Sequence, residues 1–102
     1  MSRPRYFLRF LGIAEEDLSE IVAYIAVDNP VAADGLATKI EKNLSYLTGH
    51  PQLGKIPDDV ELARLRYRYL IVDNYLIFYT IEKRTILVHR VIHGARDYEG
   101  ML

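Results

Sequence analysis

The stretch Val88-His89-Arg90-Val91-Ile92-His93-Gly94-Ala95-Arg96-Asp97 decides how the chain is read. Its aliphatic part leaves through a glycine, which frees the backbone for a sharp turn, into a compact polar group of His93, Arg96 and Asp97. It closes a series of three apolar runs, about Ala63 to Val72, Tyr75 to Ile81 and Thr85 to His93, separated by Asp73-Asn74 and Lys83-Arg84. Two-residue breaks of that kind join neighbouring antiparallel strands, so the second half of the chain is predicted to be a β-meander.

Outward from the meander, residues 50 to 61 hold Pro51, Gly54, Pro57 and the Asp58-Asp59 pair without periodicity and read as an irregular surface loop. Before it the period is helical. Ala33, Leu36, Ala37, Ile40, Leu44 and Leu47 fall on one face, ended by Gly49 and Pro51. Asn29-Pro30 marks the start of that helix, because asparagine accepts from free backbone N–H groups and proline at the first helical position loses no bond. A first helix begins near Ala14, with Leu18, Ile21, Val22 and Ile25 as its apolar stripe. Glu15, Glu16, Asp17 and Glu20 lie toward the positive end of its dipole. The short connection through Asp28-Asn29 folds the two helices back on each other. Arg5 to Leu11 alternates, Tyr6, Leu8 and Phe10 against Arg5 and Arg9, as a first strand does. The expectation is an α+β domain, strand-helix-helix-strand-strand-strand, with a helical hairpin on one face of an antiparallel sheet.

The 102 residues form one expected domain, residues 1–102, large enough to hold a core, and half of them are apolar, which excludes disorder. The absence of cysteine excludes a disulfide framework, a thiol nucleophile and a thiolate metal site, and suits a cytoplasmic protein. The first residues carry arginines and a short apolar run, but Arg9 interrupts it and Glu15-Glu16-Asp17 follows, so the segment does not read as a secretion signal or a membrane span. Charge is uneven: residues 1 to 63 carry six Lys/Arg against ten Asp/Glu, and residues 64 to 102 carry seven against four. The later half would favour an anionic partner, although a protein that clamps nucleic acid backbone usually has a larger basic excess.

If Val72 pairs with Tyr75 and Glu82 with Thr85, alternation places Arg64, Arg66, Arg68, Ile77, Tyr79, Val88, Arg90 and Ile92 on one side. Leu65, Tyr67, Tyr69, Phe78, Leu87, His89, Val91 and His93 then fall on the other. Arg64, Arg66 and Arg68 would form a row able to bind phosphates or acidic side chains, or simply keep a strand face soluble. His93 and Arg96 could serve proton transfer and charge stabilisation in attack on a phosphodiester. The preferred reading has His93 bond backbone near the sheet edge while Arg96 pairs with Asp97, Glu99 or the helix layer. His89, between Leu87 and Val91, reads as a packed sheet residue. The three histidines make no metal pattern, and no cofactor motif is present.

These runs, in this order and spacing from about Ala14 to Leu102, resemble the RelE/ParE family of bacterial toxins. The resemblance implies the same small α+β fold and a cognate antitoxin whose amphipathic segments wrap and silence the toxin. It also implies one of two targets: RelE-like members cut messenger RNA on the ribosome, whereas ParE-like members poison DNA gyrase. In the RelE pattern an arginine follows the first tyrosine of the Y-x-x-x-Y strand, where this chain has Leu76 after Tyr75. The lysines of the preceding strand fall near Tyr67 and Tyr69, and the late tyrosine near Leu102; Arg96 keeps its type. A phosphodiester-cleaving site depends on positioned charge, so these replacements favour the ParE-like branch, in which growth arrest comes from gyrase binding rather than from an enzyme activity of the chain. On that reading Arg64, Arg66, Arg68, His93 and Arg96 contact the target or partner. A variant messenger-RNA nuclease would use Arg66, His93, Arg96 and Tyr98. A third reading is a family member that has lost toxicity and only forms complexes.

Overall fold

In the computed structural model, which describes residues 5–94, 96 and 98–102, the elements follow the expected order. Strand β1 is Phe7–Phe10, helix α1 Gly12–Asp28 and helix α2 Pro30–Gly49. A short helix α3 spans Val60–Arg64, and strands β2, β3 and β4 are Arg68–Val72, Tyr75–Glu82 and Thr85–His93. A 3-10 turn, Glu99–Met101, follows. Among the described residues no helix is long and apolar enough to cross a membrane.

The helical hairpin turns on one residue. Asn29 ends α1, its N–H donating to the Ile25 carbonyl, and starts α2, its Oδ1 accepting from Ala32 N–H at 3.0 Å, with Pro30 beside it. The inward face of α2 is the one its periodicity assigned: Ala33, Leu36, Ile40, Leu44 and Leu47 are buried. The last four pack with Ala14 against Leu70, Val72, Ile77, Tyr79, Ile86, Val88 and Val91 of the sheet, while Leu18, Ile21 and Ile25 close the rim. This burial is the main source of stability, roughly 1.5–3 kcal/mol for each large aliphatic side chain.

The sheet order is β1-β4-β3-β2. Both hairpins form as predicted, with Val72 opposite Tyr75 and Glu82 opposite Thr85. The first residue of each turn, Asp73 (φ 53°) and Lys83 (φ 56°), is left-handed. The α+β class therefore stands, with one difference: β1 runs parallel to β4, Phe7 beside Thr85 and Phe10 beside Val88, so the sheet is antiparallel only through β2, β3 and β4. The long return through the helical hairpin permits this, since a parallel neighbour needs a crossover connection.

Two further expectations give way. The segment from Ala63 is not strand throughout. The Asp59 carboxylate accepts from Leu62 N–H at 2.9 Å and starts α3, Leu62 is buried beneath it, and the chain then turns through Arg66 at φ 67° before β2 begins. The simple alternation of β4 also fails, because the ladder with β3 shifts between Phe78 and Tyr79: Phe78 faces Arg90 but Tyr79 faces Val88. His89 is the extra residue of this bulge. Val88 and Val91 consequently share the helix-facing side with Tyr79 and Ile77, whereas Arg90 and Ile92 go to the outer side with Phe78 and Leu76.

Candidate functional site

The outer side of the sheet, opposite the helices, is apolar at its centre. Ile71, Leu76 and Ile92 are cross-strand neighbours there, and Phe78 beside them is fully buried. Tyr69 packs on Phe78 with ring centroids 5.6 Å apart, and Tyr98 covers the same ring at 4.9 Å. Tyr98 thus acts first as a packing group, holding the C-terminal turn on the sheet.

The arginines do not form a row. Arg64 sits on α3, exposed, with its guanidinium on Glu61, whose carboxylate raises the already high Arg64 pKa. Arg66 occupies the left-handed turn and is exposed. Arg68, opposite Tyr79, donates to the carbonyls of Gln52 and Gly54 at 3.1 and 2.9 Å and so pins the loop. A shallow hollow of about 360 Å³ lies between Arg66, Tyr67, Arg68 and Ile81.

His93 and Arg96 lie at the other end of β3 and β4. His93 pairs with Tyr75, its ring meeting the tyrosine edge-on at 5.3 Å. Because Arg68 pairs at Tyr79 and His93 at Tyr75, four residues separate them, roughly 13 Å along the strand. The structure therefore does not gather Arg66, His93, Arg96 and Tyr98 into one cluster. Gly94 has no left-handed backbone, and what it offers is close approach to the neighbouring turn. Its N–H donates to the Asn74 carbonyl at 2.8 Å, and a Cβ would stand 3.3 Å from that oxygen. Arg96 is exposed, its N–H bonded to the His93 carbonyl at 3.0 Å. Asp97 and the Glu99 side chain, the expected partners of Arg96, lie outside the described residues. A concavity of about 310 Å³ opens here between α1 and the sheet exit, lined by Glu20, Tyr24, Tyr75, His93, Arg96 and Met101.

Two polar groupings were not foreseen. Arg90 forms a fork on Asp17 of α1, Nε to Oδ2 at 2.7 Å and Nη2 to Oδ1 at 2.9 Å, with the two side chains only 15% and 12% exposed. The Asp17 carboxylate raises the Arg90 pKa further, fixing its charge. The sequence signal was available: an arginine inside an apolar strand must find a partner when buried. On the outer side, His89 bonds Thr80 Oγ1 through Nε2 at 2.9 Å, and its Nδ1 lies 3.4 Å from the Tyr67 hydroxyl. Burial lowers the His89 pKa, opposed in part by Glu82, and burial raises the Tyr67 pKa, so this network is neutral near pH 7. Among the described residues no three His, Asp or Glu side chains converge as a metal site requires.

A further surface lies beside β1. Phe7 N–H donates to the Arg84 carbonyl and Leu11 N–H to that of Val88, so the backbone groups of Leu8 and Phe10 point to the far edge, where none of the described residues adds a strand. Next to that edge, Leu8, Phe10, Leu18, Ile40 and Leu44 line an apolar groove of about 340 Å³, flanked by Glu15 and Glu41.

Comparison with known proteins gives a consistent picture. The sequence profile of the family described as ParE toxin of type II toxin-antitoxin system, parDE, matches residues 8–98. No curated protein sequence matches significantly. Among solved structures, the fold is similar to that of a chain of the chromosomal ParDE TA system from P. aeruginosa. There the TM-score is 0.71 and the identity 16%, over 87% of this chain and 96% of that one. It is also similar to a chain of the toxin-antitoxin complex RelBE2 from Mycobacterium tuberculosis, with TM-score 0.63 and 26% identity over 88% and 99% of the two chains.

Proposed function

Since the chain belongs to the ParE toxin family of type II toxin-antitoxin systems, we propose that it is a toxin that inhibits DNA gyrase by binding and is silenced by a cognate antitoxin. The observation that carries this reading is the character of the outer sheet face. Leu76 and Tyr69 stand there where the resemblance would put the arginine and a lysine of a nuclease, Phe78 and Ile92 beside them are buried apolar groups, and Arg68 is turned away onto loop carbonyls. A protein that acts by surface contact needs no such cations. The open groove at the sheet exit, with exposed His93 and Arg96 beside Tyr24 and Tyr75, is the surface we assign to the target. Tyrosine and arginine are among the side chains enriched where binding energy concentrates. Arg64 and Arg66 lie too far along the sheet to join that patch and would serve a separate contact.

The antitoxin belongs, on this reading, at the β1 edge. The outward backbone groups of Leu8 and Phe10, on the edge strand of the described sheet, invite an added strand, and the apolar groove beneath takes alternate side chains of an extended segment or one face of an amphipathic helix. Glu15 and Glu41 at the rim favour lysine or arginine on that segment.

Pulse labelling after induction of the chain alone tests the target. The gyrase reading expects DNA synthesis to fall first while protein synthesis continues. An immediate fall in protein synthesis with cleaved transcripts would instead make the chain a ribosome-dependent endonuclease, and unimpaired growth would make it a complex-forming member without toxicity.

A further inference from the structure

Strand β1 ends at Phe10, opposite Val88, so among the described residues no strand pairs with residues 89 to 93 of β4 on that side. Asp17 of α1 takes the place of one. Its Oδ2 accepts from Val91 N–H at 3.0 Å while the same carboxylate holds both Nε and Nη2 of Arg90. The remaining arm of the guanidinium, Nη1, donates to the Met101 carbonyl at 3.0 Å. One nearly buried ion pair therefore joins α1, the open edge of β4 and the C-terminal turn. An apolar pair of similar volume would stabilise the core about as well as a buried ion pair does. Only a planar fork with several donors can hold a carboxylate and a carbonyl together.

The turn that Arg90 grips lies over the outer face, where Tyr98 shields the fully buried Phe78. Arg96 stands between His93, fixed in β4, and Tyr98, fixed on Phe78, and its own N–H bonds the His93 carbonyl. Its position thus depends on both ends of a short span being held.

We propose that the Asp17–Arg90 pair is a latch that keeps the C-terminal turn, Tyr98–Leu102, seated on the outer sheet face, and that by doing so it positions Arg96 for the target. Asp17 and Arg90 are positioning residues: they act through the turn. The second half of the proposal rests on the reading of Arg96 as a target contact, whereas the latch itself does not. A freed turn would let Arg96 sample many positions, and a guanidinium that must be ordered at the moment of binding contributes less than one held in place.

The test uses the full chain with two kinds of change. Asp17→Asn with Arg90→Met keeps volume and an acceptor for Val91 N–H but leaves nothing to hold the Met101 carbonyl. Tyr98→Ala loosens the other contact and leaves the ion pair alone. Amide hydrogen exchange at Met101, whose N–H bonds the Tyr98 carbonyl, is compared with that at Ile77 and Val88 in the core. The latch predicts at least about tenfold faster exchange at Met101 in the Asp17/Arg90 variant, with core amides little changed, and a smaller rise in Tyr98→Ala, where Arg90 still holds the Met101 carbonyl. It further predicts toxicity reduced in parallel, and antitoxin binding retained. Exchange that rises equally at core and turn, or at neither, overturns the latch. A released turn with full toxicity overturns the positioning role. If the unaltered chain arrests no growth, the functional reading fails, and the exchange comparison still decides the latch.

Discussion

The Tyr79 hydroxyl lies so close to Gly54 that a β-carbon on that glycine would stand 2.5 Å from it. The contact anchors the loop that follows α2. Fully buried, Tyr79 donates to the Pro51 carbonyl at 2.8 Å and accepts from Gly54 N–H at 2.9 Å, and the same loop offers its Gln52 and Gly54 carbonyls to Arg68. Gly54→Ala is expected to destabilise the protein by about 1–3 kcal/mol through overpacking. Tyr79→Phe should cost a similar amount, roughly 1–3 kcal/mol, because it strands the buried Gly54 N–H. Urea unfolding of both variants measures this; two unchanged midpoints would show that the loop is not held from this point.

His89 makes stability depend on pH. Its folded pKa lies below the ordinary value of 6.5, chiefly through burial, so as the solution becomes more acidic the unfolded chain takes up the proton first. Its contribution is present above that ordinary value and declines as pH falls through it toward the folded pKa. Melts between about pH 7.5 and pH 5.5 are expected to show a smaller loss in His89→Gln than in the unaltered protein. Equal losses in the two would mean that the folded protein accepts the proton at no cost.

At the sheet exit, binding rather than proton transfer is the proposed chemistry. His93→Gln, which keeps the shape and can still bond, should leave a folded and toxic protein. Arg96→Ala should weaken toxicity or target binding at least about tenfold, equivalent to roughly 1.4 kcal/mol. Growth assays with parallel thermal melts separate the two. A folded but harmless His93→Gln would point to an enzyme.

Antitoxin capture should depend on the β1 groove. Leu8, partly exposed at its mouth, can be changed to glutamate without opening the core, and Leu8→Glu is expected to prevent neutralisation while toxicity persists. Charge reversal at Glu15 and Glu41 should weaken the antitoxin at least about tenfold at low salt and less at high salt, as screened rim charges do. Full neutralisation of all these variants would move the antitoxin to another face.

Loss of the shared helix cap tests the hairpin. Asn29→Ala removes the acceptor for Ala32 N–H and is expected to cost about 1 kcal/mol, read as a lower melting temperature with no change of fold. A melting temperature equal to that of the unaltered chain would assign the turn to Pro30 and packing alone.

Much of this molecule was legible in one dimension because its causes are local. Asn29-Pro30 turns the helices, the period of Leu36, Ile40, Leu44 and Leu47 faces α2 inward, and Asp73-Asn74 and Lys83-Arg84 close the hairpins in the expected pairing. The exposed sheet exit holding His93 and Arg96 could also be placed from its strand and glycine. What only the tertiary structure decided involves groups far apart in sequence or small local choices that reverse a side. The Asp59 cap and the buried Leu62 wind Val60–Arg64 into a helix and dissolve the arginine row. One extra residue at His89 exchanges the faces of Arg90 and Val91, since strand side chains alternate with a period of two. The parallel seat of β1 and the meeting of Asp17 with Arg90, 73 residues apart, follow from how the helical hairpin lies against β4. Periodicity fixes which side of an element is apolar, but which charged group lies across from it is set only when the elements pack.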